Sequence, residues 1–561
     1  MPTRNRPGSI RFSLSISCLL MLTAGIVSSA LAAITRHVGP GHPFLNIGDV
    51  PWESLAPGDS VLIHARPAPY AEKWVLCRVG TEAEPIVVTG IPDAVGNLPV
   101  ITGLNATTRT QLNFWSENRG LIKIGGANNP PDTMPAWIVI ENLELRAAHT
   151  PNSFTGRSGL TAWAGNAAGI YVEKGQHLVI RGCRFHDCAN GFFSAYLSSD
   201  LLVEGCRFED NGNVSSIFEH NNYTETNNIT FQYNWFGPLK VGAGGNNLKD
   251  RSAGCVIRYN WIEGGNRQLD LVDSDFPEVY DDPDYRNTFV YGNVLLERDG
   301  DGNSQIAHYG GDSGILSHYR QGTLWFFQNT VVSRRSGNTT LLRLSSSAET
   351  ADARNNIVSV TATGNRLGML DQTGTLTIAQ NWFKTGWVNS HSAAASVINN
   401  GQITGSDPGF QDAAFDNFEL ASTSAGIDQG IAAAPATLPE HAIARHYMKH
   451  QGSRTRPISG PIDLGAYEFS LPSAVPPTGT QRPARLLAWH SPSPGPFAFE
   501  LSEAPPTASP VEIFDVLGRR VARVEKKDAD GRWTWRPSDD LSPGVYVARL
   551  GALTTRVVLV R

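Results

Sequence analysis

The chain has 561 residues, of which 55 are glycine and 35 proline, with aromatics at 9% and charged residues at only 17%. Turns and short strands should therefore outnumber surface helices, which favours an all-β protein long enough for two or three domains. Lys and Arg total 46 against 52 Asp and Glu, a net charge of −6, which argues against a general nucleic-acid or anionic-membrane binder.

At the N-terminus Arg4, Arg6 and Arg11 precede an apolar stretch centred on CLLMLTAGIV and then the small residues SSALAA. This is the layout of a secretory signal over residues 1–32. No later stretch reaches the length of a transmembrane helix, so an exported, soluble mature protein is expected. Removal of Cys18 leaves Cys77, Cys183, Cys188, Cys206 and Cys255, an odd number with no zinc-like spacing.

Residues 34 to about 110 contain APGDSVLIH, EKWVLCRVG, EPIVVTGIP and LPVITG, short β-rich runs separated by turn residues. A repeat then emerges. Asn234, Asn260, Asn293, Asn329, Asn356 and Asn381 each sit in a β-branched or aromatic run, at spacings of 26, 33, 36, 27 and 25. Such a period suits one coil of a solenoid. LVIRGCRFHDC and LLVEGCRFED carry the same pattern, with Cys183 and Cys206 at the Asn position. On neighbouring strands about 4.8 Å apart these two are close enough for a disulfide, although buried unpaired thiols are the preferred reading, since stacked small apolar residues ordinarily fill a solenoid. Second short apolar segments between the runs, such as GIYVE, NNLKDRS and QLDLVD, give each coil more than one strand. Stacked parallel coils pile like residues into ladders, and an Asn ladder hydrogen-bonds from coil to coil at a turn. The expected architecture is a parallel β-helix over residues 33–469.

Charge changes abruptly within the repeat. Five basic residues, Lys240, Lys249, Arg251, Arg258 and Arg267, are followed by seven acids from Asp270 to Asp284 with no base among them. The acids read either as a solvated insertion or, through Asp270, Asp273 and Asp275, as hard oxygen ligands for calcium. DGDGN at Asp299–Asn303 would need a bidentate Glu where Gly310 stands, so it reads as a polar turn. Counting back from each Asn stacks Lys249 on Tyr223 and Arg251 on Glu225, and alternation in QLDLVD turns Asp270 outward on the next coil. The resulting candidate patch holds Lys249, Arg251, Arg267, His220 and His308 as catalytic groups. Tyr223, Asn247 and Tyr309 are its candidate sugar contacts. Trp115, Trp137 and Trp163 read as core or cap packing more readily than as sugar platforms.

Residues 405–469 contain SDPGF, SAGIDQG and IDLGAYEF, which resemble the closing segment of many secreted β-helix proteins, a likeness that implies an irregular cap over the last coil. A Pro-rich linker, residues 470–483, leads to residues 484–561, whose alternation in VEIFDVLGRRVARV and TTRVVLVR suggests a small immunoglobulin-like β-sandwich. DVLGRRV and SPGVYVARL resemble the C-terminal sorting domains of type IX secretion cargo and equally the FlgD immunoglobulin-like module. That resemblance implies a secreted or surface protein of a Gram-negative bacterium, handled by export machinery through this domain.

The stretch from PGDSVLIH through LPVITG, with NNLKDRSAGCVIRYNWIEG, resembles the parallel β-helix polysaccharide lyases of the alginate lyase and chondroitinase B type over roughly residues 35 to 385. The likeness implies a right-handed helix, an acidic polysaccharide as substrate, a monomer, a lysine base at Lys249, an arginine acid and a calcium ion on the uronate carboxylate. Arg267 departs from the arginine position, because the matching outward site is Asp270. β-Elimination removes a weakly acidic proton beside a carboxylate, so the developing enolate needs a positive partner. A lysine base needs neighbouring positive charge, here Arg251, to bring its pKa of about 10.4 down. Two other readings stay open. One is a glycoside hydrolase with Asp270, Asp273 and Asp275 as its acids; the other is a non-catalytic carbohydrate-binding surface protein.

Overall fold

The computed structural model describes residues 33–470 except 393–395 and 458, and, further on, 485–489, 497–502, 510–515, 519–525, 533–538, 540–550 and 553–559. The expected leader and all of the linker beyond residue 470 lie outside the described residues.

The coils stack as a right-handed parallel β-helix, each contributing short strands to three faces. On the face leading into the Asn turn, alternation aims every second side chain inward. Ile140, Ile180, Val203, Phe231, Ile257, Val290, Phe326, Ala353 and Ile378 form one registered column. Every member is buried, each large one stabilising the core by about 1.5–3 kcal/mol relative to exposure. The face after the turn is an eleven-stranded parallel sheet from Val100–Thr102 to Gln402–Gly405. Inside it Phe185, Phe208 and Phe236 stack with ring centroids 4.7 Å apart at both steps.

The Asn ladder lies between these two faces. Tyr233, Tyr259, Gly292, Gln328, Asn355 and Gln380 precede its members with φ between +49° and +66°, a left-handed step that turns the following Asn into the interior. Each Asn offers Oδ1 to both the backbone N–H and the Nδ2 of the Asn one coil before, as Asn293 does for Asn260 at 2.9 and 3.0 Å. The series continues to Asn381, whose own donors reach Gln402 Oε1. Cys206 joins it from the other end, its N–H donating to Asn234 Oδ1 at 2.9 Å. All five described cysteines are buried free thiols, so Cys183 and Cys206 fill space and form no disulfide.

The third face carries the outward column Tyr223, Lys249, Asp270, His308, Arg343 and Asp371 on consecutive coils. The register counted from the Asn positions is the one observed. Two expectations fail here, for different reasons. Tyr309 follows the outward His308 and therefore points inward, fully buried beside Leu271 and Leu344. Asn247 precedes Lys249 by two residues in the turn entering the strand, and it too is buried. Its Nδ2 donates to Gly237 O and Glu263 O, while its Oδ1 accepts from Asn221 Nδ2. It belongs to a second, interior Asn ladder and is unavailable to a sugar.

Residues 410–469 do not cap the last coil as expected. They run back along the outside of the helix. Leu420 and Leu464 pack on Ile357 and Trp382, Ala466 N–H bonds Thr330 Oγ1, and Phe418, Tyr447 and Tyr467 cover Trp261, Val294, Leu296 and Val332. Ala444 N–H then reaches Tyr259 OH, and Gln451 Nε2 reaches Gly205 O. The physical reason is in the strands: their outward positions here are large and apolar, and such a patch needs cover.

The C-terminal strands form a small β-sandwich. Arg485–Trp489, Phe497–Ser502 and Trp533–Trp535 make one antiparallel sheet; Val511–Phe514, Arg520–Val524, Gly544–Leu550 and Leu553–Leu559 make the other. Phe497, Phe499, Ile513, Trp533, Trp535 and Val557 are among its core residues. Among the described residues, no helix is long and apolar enough to cross a membrane.

Candidate functional site

Lys249 lies at the centre of the strand Leu248–Asp250, between Tyr223 and Asp270 on the neighbouring coils. Its Nζ is 2.8 Å from Asp270 Oδ2 and 2.5 Å from Asp312 Oδ2. Arg251 Nη2 takes the other oxygen of Asp312 at 2.8 Å, its Nε donates to Tyr223 OH at 2.9 Å, and its Nη1 donates to Asp273 O. One carboxylate is thus held by two cations on separate oxygens.

Asp270 is a buried hub. Besides Lys249 it accepts from Asn246 Nδ2 at 2.7 Å and meets His308 Nδ1 at 2.8 Å, with Arg267 Nη1 at 3.7 Å. His308 Nε2 continues to Ser345 Oγ at 2.8 Å. Arg267 bonds chiefly to Gln305 Oε1, at 2.7 and 3.0 Å. His220 is buried edge-on to Tyr223, and its Nδ1 accepts from Asn246 N–H at 2.9 Å, which leaves the proton of the neutral ring on Nε2.

These contacts set the charges. Burial pulls the Lys249 pKa down and Arg251 pulls the same way, as expected from the sequence, but Asp270 and Asp312 outweigh both and the net shift is upward. Burial pushes Asp270 up, yet Lys249, His308 and Arg267 carry it well below the usual carboxylate range. Asp312 is likewise lowered, Lys249 and Arg251 overcoming burial. Burial lowers His308 despite Asp270, and burial together with Lys249 takes His220 to about 3. At neutral pH the lysine is a cation, both carboxylates are anions and both imidazoles are neutral.

Asp273 is fully buried; its Oδ1 accepts from the N–H groups of Asp312 and Ser313 and its Oδ2 from Ser313 Oγ. It therefore ties down the loop that carries Asp312. The far end of that loop is fixed by Arg320, buried with Asp250 at 3.3 Å and donating to Ser252 O and Val272 O. Asp275 stands apart and exposed. Asp270, Asp273 and Asp275 do not converge on one point, and the first two have their oxygens committed to cations and N–H donors, so they do not fit the calcium site expected of them.

Sequence reasoning missed Asp312, Asn246, Ser345 and Arg320. The 36-residue spacing between Asn293 and Asn329 was the available signal, because the surplus residues include the loop from Gly310 to Arg320. Of the tryptophans, Trp163 is buried against Phe154, Trp137 stacks on His177, and Trp115 is partly exposed.

Fold and site together define a right-handed β-helix with a charged, carboxylate-gripping patch on one face. Residues 100–282 match a family model described as a right handed beta helix region. A comparison with curated proteins finds no match. Among solved structures, the chain is similar to the alginate lyase from Paenibacillus sp. str. FPU-7, with 10% identity and a TM-score of 0.36 over 62% of this chain and 93% of that one. For pectate lyase Pel9A the values are 12% and 0.42, over 78% and 98%. For the GH136 lacto-N-biosidase from Eubacterium ramulus they are 12% and 0.40, over 66% and 67%. Likeness at this level says nothing about activity, so the chemistry is argued from this chain's own side chains.

Proposed function

We propose that this is an exported carbohydrate-active enzyme that cleaves a uronate-containing polysaccharide by β-elimination. The observation supporting this reading is the carboxylate of Asp312, gripped by Lys249 on one oxygen and Arg251 on the other. A uronate carboxylate would take the place of Asp312 on Arg251, whose positive charge would neutralise the enolate formed as Lys249, once deprotonated, takes the neighbouring proton. Lys249, Arg251 and Arg267 already balance Asp270, Asp273 and Asp312, so a substrate carboxylate enters by replacing one of them. Asp312 is the replaceable one: its side chain is 34% exposed, against 3% and 0% for Asp270 and Asp273. Once it leaves, Asp270 alone holds the proton on Lys249 while burial and Arg251 oppose it. That is the change a lysine base requires.

Hydrolysis through paired carboxylates fits less well. Asp270 and Asp312 are both held ionised, so neither keeps a proton for a leaving oxygen. In this proposal the protein works as a monomer on an acidic polysaccharide at or beyond the surface of a Gram-negative bacterium, and residues 484–561 engage the export machinery.

The test is incubation with alginate, pectate, glucuronan and glycosaminoglycans, with and without calcium. Ultraviolet-absorbing unsaturated ends are expected from at least one uronate polymer, with Lys249→Ala slower by about 10²–10⁴-fold. Saturated products would replace elimination with hydrolysis, and binding without turnover would make the protein a carbohydrate binder. Full activity in Lys249→Ala would remove that residue from the mechanism.

A further inference from the structure

A second cluster of nitrogen donors lies far along the chain from the charged patch, on the rim of the first coil. His37 sits on the strand Thr35–Val38 and His64 ends the parallel strand Ser60–His64, with His37 paired opposite Leu62. His42 comes from the turn between them. That turn is closed by Gly39 N–H to Phe44 O at 2.8 Å and Phe44 N–H to His37 O at 3.2 Å, and His42 N–H bonds Gly39 O at 3.1 Å. A Cβ on Gly39, where φ is +140°, would lie 3.1 Å from Tyr70 OH and 3.2 Å from His64 Cβ. Glycine at this position lets the turn bring His42 against His64.

The three rings meet closely. His37 Nδ1 and His64 Nε2 are 3.0 Å apart, the His42 and His64 rings stack at 3.8 Å, and one nitrogen from each residue lies within 4.8 Å of the other two. All three side chains are partly exposed, so solvent reaches them. Among the described residues they are the only group of three or more histidines, cysteines or carboxylates gathered this tightly, and no carboxylate there forms an ion pair with any of them. Three imidazoles without an anion are a poor arrangement for protonated rings and a good one for a cation that accepts lone pairs.

We propose that His37, His42 and His64 form a binding site for a divalent transition metal such as Zn²⁺, with water in the remaining position. Zinc–nitrogen bonds of about 2.0–2.1 Å in a tetrahedral set place the donor nitrogens roughly 3.3 Å apart, close to the His37–His64 separation. Rotation of the His42 ring about χ2 converts its stacked position into a third donor. Nitrogen-only ligation selects Zn²⁺, Co²⁺, Ni²⁺ or Cu²⁺ over the oxygen-seeking calcium and magnesium. The bound ion would pin the first described strand and its turn to the second, at a rim where no earlier coil lies among the described residues.

Titration of the untagged protein with Co²⁺, followed by its visible absorption, tests the site. Saturation at one equivalent is expected, with Zn²⁺ displacing Co²⁺ and raising the unfolding temperature. The single variant His42→Gln, in the turn, should weaken Co²⁺ binding at least 10-fold, and a triple His37→Gln/His42→Gln/His64→Gln variant should abolish it. Absence of saturable uptake, or wild-type affinity in His42→Gln, would overturn the proposal. The outcome is independent of whether the charged patch performs elimination.

Discussion

Replacing Asp312 by Ala separates the roles of the charged patch most sharply. Asp312 meets Lys249 at 2.5 Å and Arg251 at 2.8 Å, so it competes with any carboxylate ligand for both cations. With charge centres about 4 Å apart and an effective dielectric constant near 20, each pair is worth about 4 kcal/mol before other costs. The side chain is 34% exposed, and solvent screening and the ordering of its loop remove most of that gain. A net competition of about 1–2 kcal/mol remains, so Asp312→Ala should bind a uronate oligosaccharide roughly 5- to 30-fold more tightly. Lys249 would also lose one of the two carboxylates that raise its pKa, and the rising limb of the pH–rate profile, where the base loses its proton, should move to lower pH. Calorimetric affinity and a pH–rate profile on the same polymer read both effects. Weaker binding together with loss of turnover would refute the argument, because it would make Asp312 a working catalytic group and not a stand-in for substrate.

Two further outcomes concern the scaffold. Asn293→Ala removes the acceptor of Asn260 N–H and the donor to Ile257 O, both buried, and should cost about 2–6 kcal/mol in urea unfolding; a loss below about 1 kcal/mol would show that the ladder contributes little. His220 has its pKa lowered to about 3 by burial and Lys249, so the unfolded chain binds a proton that the folded chain refuses. Stability linked to His220 is full above about pH 6.5 and lost progressively as pH falls toward 3, on the order of a few kcal/mol over that range. The difference in unfolding free energy between pH 7.5 and pH 5 should therefore be smaller in His220→Gln than in the parent.

The Asn spacing made the coils and their register legible, because a ladder residue must recur once per coil whatever lies between. That register carried Lys249, Asp270 and His308 onto one outward column. The count could not decide direction in the turns, where period-two alternation lapses, and so Asn247 was misplaced. Tyr309 was a different error: strict alternation with His308 already sent it inward. Asp312 escaped because its loop has no register at all; long-range contacts such as Asp312 N–H to Asp273 and Arg320 to Asp250, between residues about 40 to 70 positions apart, fix where its carboxylate falls. The run of acids suggested calcium by composition alone. Composition does not show that Lys249, His308 and backbone N–H groups already occupy the oxygens.

The segment 410–469 also changes how the whole helix can come apart. A solenoid held only by neighbouring coils has a nearly one-dimensional stability and can fray from either end. Here a late segment of the chain bonds Gly205, Tyr259, Thr330 and Asn355, and so splints coils as far apart as those of Gly205 and Asn355. Opening a central coil must therefore break contacts with the splint as well as with its two neighbours. Because the splint follows the coils in sequence, it closes only on coils already stacked, and it makes the face bearing Lys249 part of one cooperative unit.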